Sequence, residues 1–200
     1  MKLNTRKLAV IGMLGGISII LGVTPLGFIP IGPVKATIMH IPVIIGSIVE
    51  GPVVGLFIGL IFGGFSMFQA YTMPTSPVQV VFMDPVVAVL PRLLIALVAH
   101  YSYRGIKNVF RQDNQKKGRT IGAMLAAALG TITNTGGVLG AIYIRHAELY
   151  AEKLGIDPAV VGNTILYGIA IPNGIPEIII AVLVVTAVIR ALQKFYKQDL

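Results

Sequence analysis

A handful of ionisable and amide side chains stand inside stretches otherwise made of Val, Ile, Leu, Ala and Gly: His40, Asp84, Arg92, Asn134, Asn173 and Glu177. An arginine fork pairs a carboxylate in two places at once, and amides or an imidazole can meet hydroxyls. Together these groups suit the capture of a small anionic solute better than bond-breaking chemistry. The chain has no G-x-x-x-x-G-K-[ST] loop, no H-E-x-x-H pair and no nucleophile elbow. The reading is therefore a binding protein and not an enzyme, with no cofactor and no metal ligand set. Cysteine is absent, so a thiolate site and a disulfide framework are both excluded.

The elements that must hold these groups are apolar. Of 200 residues, 55% are hydrophobic and 12% charged, far from the composition of a water-soluble domain. Charge-poor runs fall near 7–23, 34–49, 52–68, 82–101, 120–144 and 165–189. Each is long enough, or nearly so, to cross a hydrocarbon layer of ~30 Å as a helix. The expectation is an all-α integral membrane protein: one domain over 1–200, six transmembrane helices in a single bundle, and the first run kept rather than removed as a leader. Glu50, Gly51 and Pro52 make a tight break between the second and third runs, with a re-entrant hairpin as the other reading.

Six crossings put both termini on one side, which lets the cations be sorted. Lys2, Arg6 and Lys7, then Arg104, Lys107, Arg111, Lys116, Lys117 and Arg119, then Arg190, Lys194 and Lys197 all fall on one face. The positive-inside rule makes that face cytoplasmic and the chain a multi-pass protein of the bacterial plasma membrane. The net charge of +8 is thus a topology signal and a contact for anionic lipid. Nucleic acid is excluded as a partner, since the basic loop offers no groove reader and no stacking aromatics.

With that orientation, the helical rise places His40 about 10 Å, Arg92 about 15 Å and Asn134 about 21 Å along their spans. All fall at mid-membrane or in the outer half. Asn173 and Glu177 share that half, Gln69 and Tyr71 end the third span there, and Lys35, Asp84 and Arg145 sit at its rim. The inner halves are hydrocarbon, so the polar residues point to a pocket open to the outside and sealed below. The expected binding set is Arg92, Asn134, Asn173, His40, Glu177 and Tyr71. Two alternatives stay open for Arg92: ligand pairing, or a bridge to Glu177 or Asp84 that locks helices. The prolines and glycine of IPNGIP, 171–176, predict a broken helix at pocket depth. On the first run Ala9, Gly12 and Gly16 form a small-residue stripe, for a partner helix or for packing within the bundle.

The segments IMHIPVIIGSIVEGPVVGLFIGLIFGG (38–64), DPVVAVLPRLLIALVAH (84–100) and NTGGVLGAIY (134–143) resemble, in order and spacing, the substrate-binding S components of energy-coupling factor (ECF) transporters. The resemblance is nearest to the pantothenate group. It implies a six-helix bundle whose outer vitamin pocket is capped by the loop between helices one and two. It further implies a coupling transmembrane subunit and two ATPase subunits as partners, and toppling of the whole chain to release the vitamin inside. S components commonly carry an alanine pair on helix one for the coupling subunit; here Met13 follows Ala9, and Gly12 with Gly16 supply the small pair. Pantothenate has a carboxylate, hydroxyls and an amide that Arg92, Asn134, Asn173 and His40 could meet. Riboflavin, pyridoxine or hydroxymethylpyrimidine, a solitary proton-coupled carrier using Asp84, Glu177 and His40, and a membrane scaffold are the other readings.

Overall fold

The structure, a computed structural model, describes residues 4–31, 34–74, 76–110 and 114–195. Lys2, Arg111 and Lys197 of the basic clusters, and the side chain of Lys35, lie outside that part. Helix α1 (Thr5–Val23) begins on Asn4, whose side chain accepts the Lys7 N–H and so satisfies one of the free amides of the first turn. A short turn, Pro25–Gly27, leads into strands β1 (Phe28–Ile31) and β2 (Val34–Thr37), paired antiparallel with Phe28 opposite Thr37. Helices α2 (Ile41–Val49) and α3 (Pro52–Thr72) follow, then a 3-10 segment, Pro77–Met83, and a single turn, α4 (Pro85–Ala88). The chain continues through α5 (Leu90–Val109), α6 (Gln115–Leu154), α7 (Val161–Asn163), a π-helix at Thr164–Ala170 and α8 (Ile171–Phe195).

Among the described residues five helical stretches are long and apolar enough to span a membrane: Thr5–Val23, Pro52–Thr72, Pro85–Val109, Gln115–Leu154 and Pro158–Lys194. The run expected as a helix over 34–49 is corrected. Its first four residues are strand β2, and helix starts only at Ile41. Proline is at ease only in a helix's first turn, so Pro42 sets the start. The nine residues of α2 rise roughly 14 Å, less than half of the ~30 Å layer. The break at Glu50–Gly51–Pro52 is present, with Gly51 at φ 98°, a conformation open to glycine and costly for other residues.

Two further expectations change. Helix α6 does not end near 144 but continues to Leu154, bending at His146 (φ −137°, ψ 25°). The chain also stays helical through IPNGIP; the distortion lies just upstream, where the Ile171 N–H reaches back five residues to Leu166 O. Prolines at 172 and 176 cannot donate to the preceding turn, and a wide turn absorbs the mismatch without opening the helix.

The bundle has two unlike ends. Arg6 Nε lies 2.7 Å from Glu50 Oε1 and Arg190 Nε 3.5 Å from Thr120 Oγ1, which gathers the start of α1, the end of α2, the start of α6 and the end of α8 at the terminal end. The hairpin and the 3-10 segment lie at the other. Between them Val43, Ile44, Val54, Ile58, Ile95, Ala96 and Val185 are fully buried in one apolar cluster. Helix α3 approaches α5 closely: a Cβ on Gly59 would lie 2.5 Å from Arg92 O, and one on Gly63 2.7 Å from Ala88 O. Small residues at these crossings set the position of the α5 start, where Arg92 stands.

Candidate functional site

At the hairpin end a cavity of about 300 Å³ opens between α3, the 3-10 segment, α5, α6 and α8, with Phe28 and Thr37 of the hairpin at its edge. Arg92 enters it from the first turn of α5. Its Nη1 donates to Val87 O at 2.8 Å, while the guanidinium carbon sits 5.0 Å from the Phe62 ring centre and 5.4 Å from that of Phe82. Two aromatic faces thus shelter a cation that is only 5% exposed. Its Nε has no hydrogen-bond partner among the described residues, and neither of the expected bridges forms.

Across the cavity Glu177 of α8 is 3% exposed. Its Oε1 accepts the Thr37 backbone N–H at 2.9 Å and its Oε2 accepts the Thr135 hydroxyl at 2.7 Å. Asn134 of α6 and Asn173 of α8 line the same space, and the Oδ1 of each is unpartnered. Buried amide oxygens and a buried guanidinium N–H are costly unless something meets them. The arrangement therefore offers one cation, one carboxylate and two amides to a small polar molecule.

Four of the six expected binding residues, Arg92, Asn134, Asn173 and Glu177, come together in this cavity. His40 and Tyr71 do not. His40 is wholly buried beneath it, with Nε2 2.9 Å from Thr131 Oγ1. That hydroxyl also lies 2.8 Å from Ala127 O, and the contact pegs His40, at the start of α2, to α6. Tyr71 is 62% exposed, and the residue two before it, Gln69, faces the cavity in its place. Asp84, expected beside the pocket, is occupied elsewhere: it caps α4 through the Val86 N–H and receives Arg145 Nε at 2.6 Å and His146 Nε2 at 2.8 Å. Thr37 and Thr135 were missed. Thr37 acts through its backbone, which no side-chain pattern marks, whereas Thr135 directly follows Asn134 and was open to detection.

Ala9, Gly12 and Met13 are exposed along α1, and a Cβ on Gly12 or Gly16 would meet nothing within 4 Å. Gly15 is the inward glycine of this helix, pressed on Ile61 of α3. Gly12 and Gly16 accordingly face open space, whereas Ala9 and Met13 line an apolar groove with residues of α2 and α8.

Comparison with known proteins agrees in scale and topic. Residues 6–189 match the family "ECF transporter, substrate-specific component". The pantothenic acid transporter PanT of Lactococcus lactis subsp. cremoris is 34% identical over 176 residues, 81% of this chain and 80% of the relative. The pantothenate transporter PanT of Leuconostoc mesenteroides subsp. mesenteroides is 30% identical over 168 residues, 82% and 79% of the two chains.

Proposed function

The chain belongs to the ECF transporter substrate-specific components, multi-pass proteins of the bacterial cell membrane, and on that premise we propose that it captures pantothenate from outside and hands it inward. The observation that carries this reading is the pairing, in one cavity, of an Arg92 Nε with no partner and the free amide oxygens of Asn134 and Asn173. A carboxylate on Arg92 and hydroxyl or amide donors on the two asparagines satisfy all three. The names of the two relatives support the same vitamin. A volume of about 300 Å³ lies at the small end of ligand sites, which run roughly 300–1,000 Å³.

In this reading the hairpin end faces outside, the termini face the cytoplasm, α2 is a short sixth segment, and the chain binds without catalysing. Transport requires a coupling transmembrane subunit and two ATPase subunits, with the outward face of α1 at Ala9, Gly12 and Gly16 meeting the coupling subunit. The whole chain topples in the lipid to release its cargo. A solitary proton-coupled carrier is less well supported, because its titrating groups sit in three separate networks: Asp84 with Arg145 and His146, Glu177 with Thr37 and Thr135, His40 with Thr131.

The test is binding of radiolabelled pantothenate by the purified chain, followed by uptake in cells with and without the coupling and ATPase subunits. Saturable binding and uptake only with those subunits are expected. Absence of binding, or uptake by the chain alone, would overturn the reading.

A further inference from the structure

Two formal charges line the cavity, and they do not meet. Among the described residues lining it, Arg92 is the one cation and Glu177 the one anion. Ion pairs form elsewhere, Arg6 with Glu50, Arg145 with Asp84 and Lys153 with Glu152. Each buried pole is instead held by neutral groups: Arg92 by Val87 O and two aromatic rings, Glu177 by an N–H and a hydroxyl. Opposite charges in a low-dielectric space attract strongly, so keeping them apart takes dedicated partners on both sides. The result is a polarised cavity with a cationic and an anionic pole.

We propose that Glu177 determines specificity at the hydroxyl end of the ligand: it accepts hydrogen bonds from hydroxyls and excludes molecules bearing a second anionic group there, phosphate monoesters above all. This rests on the reading of the cavity as a carboxylate-vitamin site. Each Glu177 oxygen already has one hydrogen-bond partner, and a carboxylate has about four acceptor positions, so about two remain for ligand O–H groups. A phosphate monoester brings a charge of about −1.5 to −2 and oxygens that mostly accept. Among the described residues lining the cavity it would find no second cation to share with Glu177, because Arg92 holds the ligand's carboxylate. Rejection by an unpaired like charge is a common source of discrimination between otherwise similar ligands.

The experiment is competition against labelled pantothenate on the purified full chain in lipid nanodiscs at neutral pH. Three competitors are compared: pantothenate, its phosphate monoester on the terminal hydroxyl, and the neutral dimethyl phosphate triester at the same position. The wild type is expected to bind the monoester at least about 100-fold more weakly than pantothenate, the scale set by a buried like-charge contact. It should bind the bulkier but uncharged triester more tightly than the monoester. In Glu177→Gln the ratio of pantothenate to monoester affinity should fall at least about tenfold. Equal rejection of monoester and triester by the wild type would make the exclusion steric and overturn the proposal, and so would an unchanged ratio in Glu177→Gln. The wild-type comparison stands even if that variant fails to fold. A wild type that does not bind pantothenate overturns the vitamin reading itself, a result distinct from pantothenate binding with the wrong selectivity.

Discussion

Glu177 Oε1 accepts the backbone N–H of Thr37 at 2.9 Å, so a carboxylate on α8 fastens the hairpin at the edge of the cavity. Its second oxygen, bonded to Thr135, ties the same point to α6. Strands of four residues are marginal by themselves, so the hairpin depends on such anchors.

Glu177→Ala should therefore loosen the hairpin before it loosens the bundle. Loss of a hydrogen bond to a charged group costs about 1.5–3 kcal/mol, so amide exchange in peptides covering residues 34–38 should speed up roughly tenfold or more. Ligand dissociation should quicken in parallel, with exchange in α3 and α5 unchanged. Uniform acceleration across all helices, measured by mass spectrometry, would show that Glu177 supports the fold and not the hairpin.

Arg92 is where ligand charge and helix position can be told apart. Arg92→Ala should weaken pantothenate by about 10- to 100-fold, the value of a charge-assisted bond, and weaken its uncharged alcohol analogue far less. Arg92→Lys keeps the charge but loses the planar fork between Phe62 and Phe82, and should fall between. Equal losses for the acid and the alcohol in calorimetric titrations would assign Arg92 a purely structural role.

The path from sequence to site is legible in some residues and closed in others. Arg92, Asn134, Asn173 and Glu177 could be found because a polar side chain in hydrocarbon is expensive, so its presence marks a cavity. The same logic misplaced His40 and Tyr71. A buried histidine can be held by one hydroxyl on another helix, here Thr131, with its Nδ1 left without a partner, and depth alone does not say which face of α3 carries Tyr71. Asp84 went to Arg145 and His146 because α6 runs on past its expected end, a continuation hidden by the polar composition of 145–154. Strand β2 falls inside the run expected as a helix because Val34, Ala36 and Ile38 are equally at home in a strand, and only the first-turn preference of Pro42 separates the two.

The close approach of α3 to α5 predicts an effect at a distance from any ligand atom. A methyl at Gly59 would press on the Arg92 carbonyl at 2.5 Å, and backbone, unlike a flexible side-chain tip, cannot step aside. Gly59→Ala should lower thermal stability by about 1–3 kcal/mol as overpacking does, and should weaken pantothenate binding by shifting the α5 start. Gly64→Ala, five residues along the same helix with nothing within 4 Å, is the control: it should leave binding unchanged and stability equal or higher by up to about 1 kcal/mol. Equal behaviour of the two variants would remove the crossing from the account of the site.

At the rim, hydrogen bonding by Arg145 holds the Asp84 carboxyl at about 2, below its usual 3.8, with the Val86 N–H and His146 adding to it and partial burial opposing. A folded value below the unfolded one means stabilisation that is complete above about pH 4 and lost as the pH falls toward 2. Asp84→Asn keeps the cap on α4 and removes the charge. Its cost in melting temperature should be present at pH 5 and shrink progressively below about pH 4. A cost that stays constant down to pH 2.5 would show that Asp84 acts through shape alone.

The outward face of α1 separates binding from transport. Gly12 and Gly16 have open space where a Cβ would stand, while Gly15, between them in the chain, is pressed on Ile61. A Cβ at Gly12 therefore meets nothing within 4 Å, and exchanging glycine for leucine within a helix favours the helix by roughly 0.5–1 kcal/mol. If this face seats the coupling subunit, Gly12→Leu blocks the close approach that small residues permit. The purified variant should then bind pantothenate with unchanged affinity and melt no lower than the wild type. Co-purification with the coupling and ATPase subunits, and uptake in cells, should both fall at least about tenfold, since filling a packed helix contact costs roughly 1–3 kcal/mol. Gly15→Leu should do the reverse, destabilising the chain and impairing binding before any question of assembly arises. Uptake unaffected by Gly12→Leu would move the coupling contact to another face of the bundle without bearing on the cavity of Arg92 and Glu177.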